Sequence, residues 1–319
     1  MNGISEPLQI VLDELREEDR KPDQISLYYL SNLGAEEAER VRQVWTELPT
    51  DLRAELTSWL VELAEADFTL NFSAIFRIAM EDDDAGVREA AIEGLWEDED
   101  VRLVPRLTRH LLEDESAGVR AAAAKSLGRF ILLGELRKIR PEPHQVAYEA
   151  LVEANQARDE DTEVQRRALE SLAYVSDETV IASIREAYAS PIEKMRISAI
   201  FAMGRSADTR WEQEVQQELF STDPEMRYEA ARACGELQIS EAVSMLEELT
   251  EDADIEVQQA AIWALGQIGG DRAREILEYY CRVRDEALRS AAEAAVEEFE
   301  FLHGDLEDVF ADLAEEPYW

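Results

Sequence analysis

Cysteine, proline and glycine are all scarce in this sequence, and each shortage excludes a class of protein. Two cysteines in 319 residues cannot form a disulfide framework. Cys234 and Cys281 lie at apolar helical positions, too far apart for a CxxC or zinc pattern, so free thiols in a reducing compartment are expected. With 13 glycines and 9 prolines, the abundant Ala, Leu, Glu and Arg favour an all-helical chain.

Long apolar segments are also missing. No uninterrupted apolar run approaches the roughly 20 residues that span a bilayer, so we expect no membrane insertion. Residues 1–6 lack the basic and apolar regions of a secretion signal. The sequence therefore predicts a cytoplasmic protein.

Positive charge is scarce relative to negative charge. There are 72 acidic and 32 basic residues, which gives a formal net charge of −40 and a pI of about 4.3. Such a surface repels phosphate backbones, so direct nucleic-acid binding is not expected. The charge keeps the protein soluble, and it is also compatible with a basic partner or with life at high salt.

One motif recurs along most of the chain. It consists of an acidic turn, an apolar residue followed by Arg or Gln, several small residues, and Leu-Gly, and it is clearest over residues 254–266. Successive copies are 31 residues apart, except for spacings of 32 and 45. This period predicts stacked helix pairs that share one core. The copies begin at Val87, Val119, Val164, Met195, Met226, Val257 and Leu288.

The repeat divides the chain into three parts. Residues 1–34 are predicted to be an irregular helical cap, and residues 35–302 hold the repeats, with a degenerate copy at 36–66 and clear copies from about 70. The spacing of 45 implies an insertion, and its prolines and charges predict an exposed loop near 134–143. Residues 303–319 form an acidic tail. It either caps the last repeat or docks into a groove through Val309, Phe310, Leu313, Tyr318 and Trp319.

Within a repeat, each motif position has a predicted role. The turn aspartate caps the second helix, and motif positions 0, 4, 7 and 8, counted from the apolar residue, face the core. In the clearest copy these are Val257, Ala261, Ala264 and Leu265. Gly266 is predicted to end the helix, because a left-handed C-cap favours glycine.

These features resemble the HEAT-repeat family, in particular its bacterial PBS lyase HEAT-like branch, over roughly residues 36–300. The resemblance implies an all-α, armadillo-like fold, a right-handed alpha-alpha superhelix (HEAT-repeat solenoid). It also implies a ladder in which turn aspartates bond to helix arginines of neighbouring repeats, with Gln165 and Gln258 weakening two rungs. The ladder would use Asp84, Asp161, Asp223 and Asp254 with Arg88, Arg120, Arg196, Arg227 and Arg289.

No catalytic or metal-binding arrangement is recognisable. The acidic runs at 81–84 and 97–100 fall at repeat turns, where aspartate caps a helix, and the first fails the EF-hand pattern. Deoxyhypusine hydroxylase, a di-iron enzyme built on HEAT repeats, resembles this architecture but relies on His-Glu pairs. None of His110, His144 and His303 is followed by Glu. We therefore expect no enzymatic activity, no metal and no cofactor.

A partner-binding patch is predicted on the second helices of three consecutive repeats. Motif positions 2 and 6 point away from the core, toward the inner surface of the superhelix in this family. Aromatic residues and Arg dominate binding hot spots, and contiguous exposed apolar surface marks interfaces. The alternative is that curvature buries this row as extra core. The patch comprises Ile197, Phe201, Tyr228, Arg232, Gln259 and Trp263.

A basic patch is predicted within residues 120–140, where the charge of the chain is locally reversed. It is either an ordinary solvated loop or a docking site for an acidic partner or a phosphate. The residues are Lys125, Arg129, Arg137, Lys138 and Arg140.

The function that these observations favour is a non-catalytic scaffold that binds a protein or peptide on the concave surface of the solenoid. The family name implies an alternative, a bilin or chromophore lyase or chaperone. The charge suggests another, an acidic mimic or chaperone for a basic nucleic-acid-binding protein. The sequence specifies neither the partner nor the oligomeric state.

Overall fold

The computed structural model describes residues 5–16 and 24–303, and every regular element in these ranges is helical. The chain divides into two compact units, Met1–Ser171 and Leu172–Trp319. Within the described ranges, no helix has both the length and the apolarity needed to cross a bilayer. The docking residues predicted in the acidic tail lie outside the described residues.

In the first unit, helices alternate between two rows from α3 onward. The second helices α4, α6 and α8 lie side by side, and the first helices pack against them. One-turn 3₁₀ helices occur at Tyr28–Leu30 and Val101–Leu103. The helices are α1 (Glu6–Leu15), α2 (Gln24–Leu27), α3 (Ala35–Trp45), α4 (Thr50–Ala66), α5 (Ser73–Ala79), α6 (Ala85–Gly94), α7 (Val104–Glu113), α8 (Ala117–Glu135), α9 (Pro141–Gln156) and α10 (Thr162–Leu172).

The second unit repeats the same arrangement more regularly. Its second helices α12, α14, α16 and α18 form one row, in which each packs against the next. One-turn 3₁₀ helices occur at Thr209–Trp211 and Ser240–Ala242. The helices are α11 (Glu178–Tyr188), α12 (Glu193–Arg205), α13 (Glu212–Glu218), α14 (Pro224–Glu236), α15 (Val243–Leu249), α16 (Ile255–Ile268), α17 (Asp271–Tyr280) and α18 (Glu286–His303).

The core lies between the two rows of helices in each unit. Val257, Ala261, Ala264 and Leu265 are all buried, as the motif predicted. Their alanines let the second helices approach one another closely, and burial of the larger residues supplies the hydrophobic stabilisation.

The prediction that Gly266 ends its helix is wrong. Helix α16 continues to Ile268, and Gly269, with a φ of 77°, occupies the C-cap. Gly266 is instead a contact point between helices, since a Cβ there would lie 2.7 Å from the backbone oxygen of Ala295 in α18. A Cβ at Gly204 would likewise lie 2.8 Å from the Cα of Ala233, and one at Gly235 2.9 Å from the Cα of Ala264. The motif glycine is therefore required for close helix packing rather than for a left-handed backbone.

The loop predicted near 134–143 is shorter in the structure. Helix α8 extends to Glu135 and α9 begins at Pro141, so the connection comprises residues 136–140. Most of the inserted residues lengthen these two helices, to 19 and 16 residues. Proline is tolerated in the first turn of a helix, where the missing N–H would have no partner within the helix.

The turn aspartates cap the second helices, as predicted. Asp84 accepts the N–H of Val87 at 3.1 Å, and Asp254 accepts that of Glu256 at 2.8 Å. Each carboxylate is thus turned toward its own helix and satisfies one of its free N–H groups.

The ladder therefore uses other acids than the predicted ones. Arg88 makes a bidentate pair with Asp114, at 2.8 and 2.7 Å. Arg227 pairs with Asp252 in the same way, at 2.7 and 2.8 Å, and Arg120 pairs with Glu160 at 2.7 Å. The partner is an acid one or two residues ahead of the next helix cap, because the cap itself is already engaged.

Several ladder side chains also bond to backbone. Arg88 donates to the carbonyl oxygen of Asp82 at 2.9 Å, and Arg227 to that of Ser221 at 2.9 Å. Gln258 donates to the carbonyl oxygen of Asp252, and Gln165 to that of Ala157 at 2.6 Å. Glutamine therefore keeps the bond to the turn of its own repeat and lacks only the ionic bond to the next repeat.

We expect acid to destabilise the first unit through Glu81. His110, then Arg106 and Arg109, hold the pKa of Glu81 at about 2, although burial acts in the opposite direction. A carboxyl whose pKa is lowered by folding stabilises the fold above its unfolded value near 4.5, and this stabilisation is lost as pH falls toward 2. Chemical denaturation at a series of pH values should show a shallower acid loss in Glu81→Gln. An unchanged slope would contradict this role.

Candidate protein-binding site

A cavity of about 1040 Å³ lies on the row of second helices in the second unit, between α14, α16 and α18. It contains four residues of the predicted partner-binding patch: Tyr228, Arg232, Gln259 and Trp263. All four are half-buried, so they are accessible to a ligand yet held by their neighbours. The remaining lining residues are Pro224, Glu225, Glu229, Asp254, Glu256, Val257, Ala260, Ala287, Ser290, Ala291 and Ala294.

Trp263 and Arg232 are stacked at one wall of this α14–α16–α18 cavity. The guanidinium carbon of Arg232 lies 3.8 Å from the centre of the Trp263 ring, which is close for a cation–π contact. Gly235 makes room for the ring, because a Cβ there would lie 2.7 Å from Trp263 Cζ3. Packing therefore fixes the orientation of both side chains before any ligand binds.

Phe201 extends the patch along the same row. The guanidinium carbon of Arg205 lies 5.4 Å from the Phe201 ring centre. A smaller cavity of about 170 Å³ joins Phe201 to Tyr228 and Arg232. Ile197 does not belong to this surface, because it is buried with 3% exposure. For that residue the core alternative is correct, while the other five patch residues are accessible.

Glu236 links the two arginines beneath the patch. Its carboxylate lies 3.3 Å from Arg205 and 3.9 Å from Arg232. Burial raises the pKa of Glu236, while both arginines act to lower it. This carboxylate orients the two guanidinium groups that stack on Phe201 and Trp263.

The α14–α16–α18 cavity is acidic. Its lining includes Glu225, Glu229, Asp254 and Glu256, and Arg232 is the one cation among the lining residues. Asp254 also caps α16. The sequence identified Asp254 only as a turn residue. Glu225 lies three residues before Tyr228, and Glu256 three residues before Gln259, a spacing that could have indicated a shared helix face.

The structure separates the predicted basic patch into two groups. Lys125 and Arg129 lie on α8 and line a cavity of the first unit. Arg137, Lys138 and Arg140 are exposed in the connection after α8. Helix α8 ends at Glu135, and ten helical rises of about 1.5 Å place that residue about 15 Å from Lys125 along the helix, so Lys125 is well separated from the connection that carries the other three cations.

Within residues 5–16 and 24–303, no group of three or more His, Cys, Asp or Glu side chains is arranged to hold a metal ion. Cys234 is buried and Cys281 half-buried, and both are free thiols. Burial raises the pKa of the Cys234 thiol to about 12, so it is not a nucleophile at neutral pH.

Comparison with known proteins agrees with this architecture. A family model of HEAT repeats matches residues 73–154 and 212–297, just over half of the chain. The complex of CpcE and CpcF of phycocyanin lyase from Nostoc sp. PCC7120 is similar, with a TM-score of 0.51 and 19% identity over 70% of this chain and 86% of that chain. A comparison with curated proteins finds no match.

Yeast importin-beta (Kap95p) is also similar, with a TM-score of 0.54 and 11% identity. The match covers 92% of this chain and 46% of the importin chain, so this chain spans about half of that protein. At these identities the two structures show the fold alone. The all-α solenoid class predicted from the repeat is confirmed, and the lyase structure agrees with the predicted PBS lyase-like resemblance. The chain belongs to the HEAT-repeat family.

Proposed function

We propose that the chain is a non-catalytic scaffold whose α14–α16–α18 cavity binds a protein segment rich in basic residues. The observation that carries this proposal is the Trp263–Arg232 stack, which is half-exposed at the wall of an acidic cavity of about 1040 Å³. HEAT repeats support this class of function, because stacked helix pairs create extended binding surfaces.

The aromatic residues would supply most of the binding energy. Tyr228 and Trp263 are half-buried and line the same cavity from adjacent helices. Few interface residues carry most of the free energy of association, and Trp, Tyr and Arg are enriched among them. A preformed stack also loses little conformational entropy on binding.

The acids would select the partner. Glu225 and Glu256 are exposed at the cavity, where they attract lysine and arginine side chains and repel acidic ones. The net charge of −40 adds a long-range attraction for basic proteins, which raises the rate of encounter at low salt. A basic nucleic-acid-binding protein is one such partner, consistent with the acidic-chaperone alternative.

The test uses a fluorescein-labelled peptide of alternating Lys and Leu, with a Glu-Leu peptide of equal length as comparison. Fluorescence anisotropy should show binding of the basic peptide only, and this binding should weaken as salt is added. Trp263→Ala should reduce affinity about tenfold or more, as truncation of a hot-spot residue does.

A matched pair of variants separates the cavity from the general acidity of the surface. Glu225→Gln with Glu256→Gln removes two carboxylates from the cavity, whereas Glu241→Gln with Glu251→Gln removes two exposed carboxylates that do not line it. Only the first pair of substitutions should lower the affinity for the basic peptide by more than about threefold. Equal effects of both pairs, together with full binding by Trp263→Ala, would contradict the proposal.

A bilin or chromophore lyase is the second candidate, since the fold is shared with the CpcE–CpcF complex. A tetrapyrrole with acidic side chains would face the carboxylates of the α14–α16–α18 cavity, and like charges in a cavity are unfavourable. Addition of a bilin should therefore leave its absorbance spectrum unchanged. A spectral shift that is lost in Trp263→Ala would favour the lyase-type function instead.

A further inference from the structure

The first unit has its own cavity on the equivalent row of second helices. It has a volume of about 580 Å³ and lies between α4, α6 and α8. This volume falls within the range of about 300–1,000 Å³ that is usual for small-molecule sites. Its lining includes Ile92, Glu93, Trp96, Lys125, Ser126 and Arg129.

Two side chains that line the α4–α6–α8 cavity, Arg129 and Ser126, carry buried hydrogen-bond donors that lack acceptors. Arg129 donates from Nη1 to the backbone oxygen of Trp96. Its Nε and Nη2 are buried and have no hydrogen-bond partner among the described residues, and the same holds for Ser126 Oγ. A charged donor without an acceptor is costly to bury, so each such group calls for an explanation.

The surroundings of Arg129 explain its position only in part. Its guanidinium carbon lies 5.0 Å from the centre of the Phe130 ring. Burial lowers the pKa of Arg129, and the nearby carboxylates of Asp98 and Glu99 act in the opposite direction. Asp98, however, is already engaged in a bidentate pair with Arg77 at 2.9 and 2.8 Å.

Charge and apolar surface are distributed unevenly around the cavity. Ile92 is buried, and Trp96 adds aromatic surface. Lys125 is exposed and adds a second cation, while Glu65 and Glu93 are exposed carboxylates. Exposed charges are screened by water and salt, whereas buried ones are not. Arg129 is half-buried and its charge is therefore less screened than the three exposed charges, so a ligand atom bonded to it would experience its positive charge more strongly than the exposed carboxylates.

We propose that the α4–α6–α8 cavity binds a small apolar molecule that carries one carboxylate. The carboxylate would accept hydrogen bonds from Arg129 and Ser126, and the apolar body would lie against Trp96 and Ile92. A guanidinium matches a carboxylate in geometry and charge. A single negative charge fits better than a phosphate dianion, because Glu65 and Glu93 lie at the same cavity.

The test compares 4-phenylbutyrate with its uncharged amide, 4-phenylbutyramide, by isothermal titration calorimetry on the full chain. The acid should bind at least tenfold more tightly than the amide. Arg129→Met should remove this preference, and Lys125→Gln should lower the affinity for 4-phenylbutyrate a few-fold. Lys138→Gln, which removes an exposed cation outside the cavity, is the matched control and should bind as the unmodified chain does.

Thermal unfolding separates a binding role of Arg129 from a structural one. Arg129 is half-buried, and its Nε and Nη2 lack acceptors. Replacing it with an apolar side chain of similar length removes a desolvation penalty, so Arg129→Met should unfold at the same or a higher temperature. A large fall in that temperature would assign Arg129 to the fold and overturn the proposal. Equal affinity for acid and amide, or acid binding that Lys125→Gln leaves unchanged, would also overturn it.

Discussion

Replacing Asp114 with alanine should lower the free energy of unfolding by about 3 kcal/mol or more, as expected when one partner of a buried ion pair is removed. Asp114 is 6% exposed and makes a bidentate pair with Arg88, which is 14% exposed. It also lies 3.2 Å from Nδ1 of the buried His110 and accepts the N–H of Ser116 at 3.0 Å. The variant leaves all of these donors without their acceptor.

The pKa of Asp114 supports this expectation. Burial raises it, but the bonds from Arg88, Ser116 and His110 outweigh burial and hold it below the ordinary value. The stabilisation is therefore present above the unfolded pKa and is lost as pH falls through the folded one.

Urea denaturation measures the effect of Asp114→Ala. Glu275→Ala, which removes an exposed acid paired with the exposed Arg272, is the control and should change little, because exposed pairs contribute little. The double variant Arg88→Met with Asp114→Leu should recover part of the loss, since it leaves no unpaired charge at Arg88. A loss of under about 1 kcal/mol in Asp114→Ala would show that this rung is dispensable.

Replacing Gly235 should have the second large effect. A Cβ at this position would lie 2.7 Å from Trp263 Cζ3 and 2.9 Å from the Cα of Ala264. Alanine gains about 1 kcal/mol in helix propensity over glycine, but overpacking costs about 1–3 kcal/mol. We expect a net loss of about 1–2 kcal/mol for Gly235→Ala and about 3 kcal/mol for Gly235→Val, because Ala264 contributes backbone that cannot rotate away.

Gly118→Ala is the matched control for Gly235→Ala. Its Cβ would meet only the end of the Glu89 side chain, which can move, so no loss of stability is expected. Thermal unfolding measures the loss of stability in Gly235→Ala. Trp fluorescence reports the displacement of the Trp263 ring, which should change its emission. Equal stability of Gly118→Ala and Gly235→Ala would show that α14 and α16 have room to separate.

The fold could be predicted from the sequence because it depends on periodicity. A repeat of 31 residues with apolar positions at Val257, Ala261 and Leu265 allows few arrangements other than stacked helix pairs. Composition and turn residues at each copy agreed with that pattern. The helix boundaries near Gly266 and residues 134–143 were less predictable, because glycine serves both caps and close contacts, and proline both loops and first turns.

The candidate sites could be predicted only in part. The spacing of Tyr228, Arg232 and Trp263 located one face of the second helices, and the structure places these residues around one cavity. The spacing could not show that Ile197 lies deeper than its neighbours, since burial depends on how adjacent helices are displaced. Nor could it separate Arg129 from Arg137, because charge along the sequence does not specify which side chain a cavity encloses.

Arg88, Arg120 and Arg227 each make one bond to their own turn and one to the next repeat, which has a consequence for the assembly of repeats. The bond to the arginine's own turn makes no demand on the next repeat, whereas the ionic bond requires an acid there. The acid position is the residue two places before the next helix cap. It is Val283 in the repeat after Gln258 and Asp252 in the repeat after Arg227. A repeat with glutamine therefore presents no charge to the repeat that follows. A different repeat could be inserted, duplicated or exchanged there without leaving an unpaired charge. Arg196 precedes a repeat with Ser221 at the acid position and pairs instead with Glu193 of its own helix, at 3.6 Å. Arg88, Arg120 and Arg227, by contrast, are each bound to an acid of the repeat that follows.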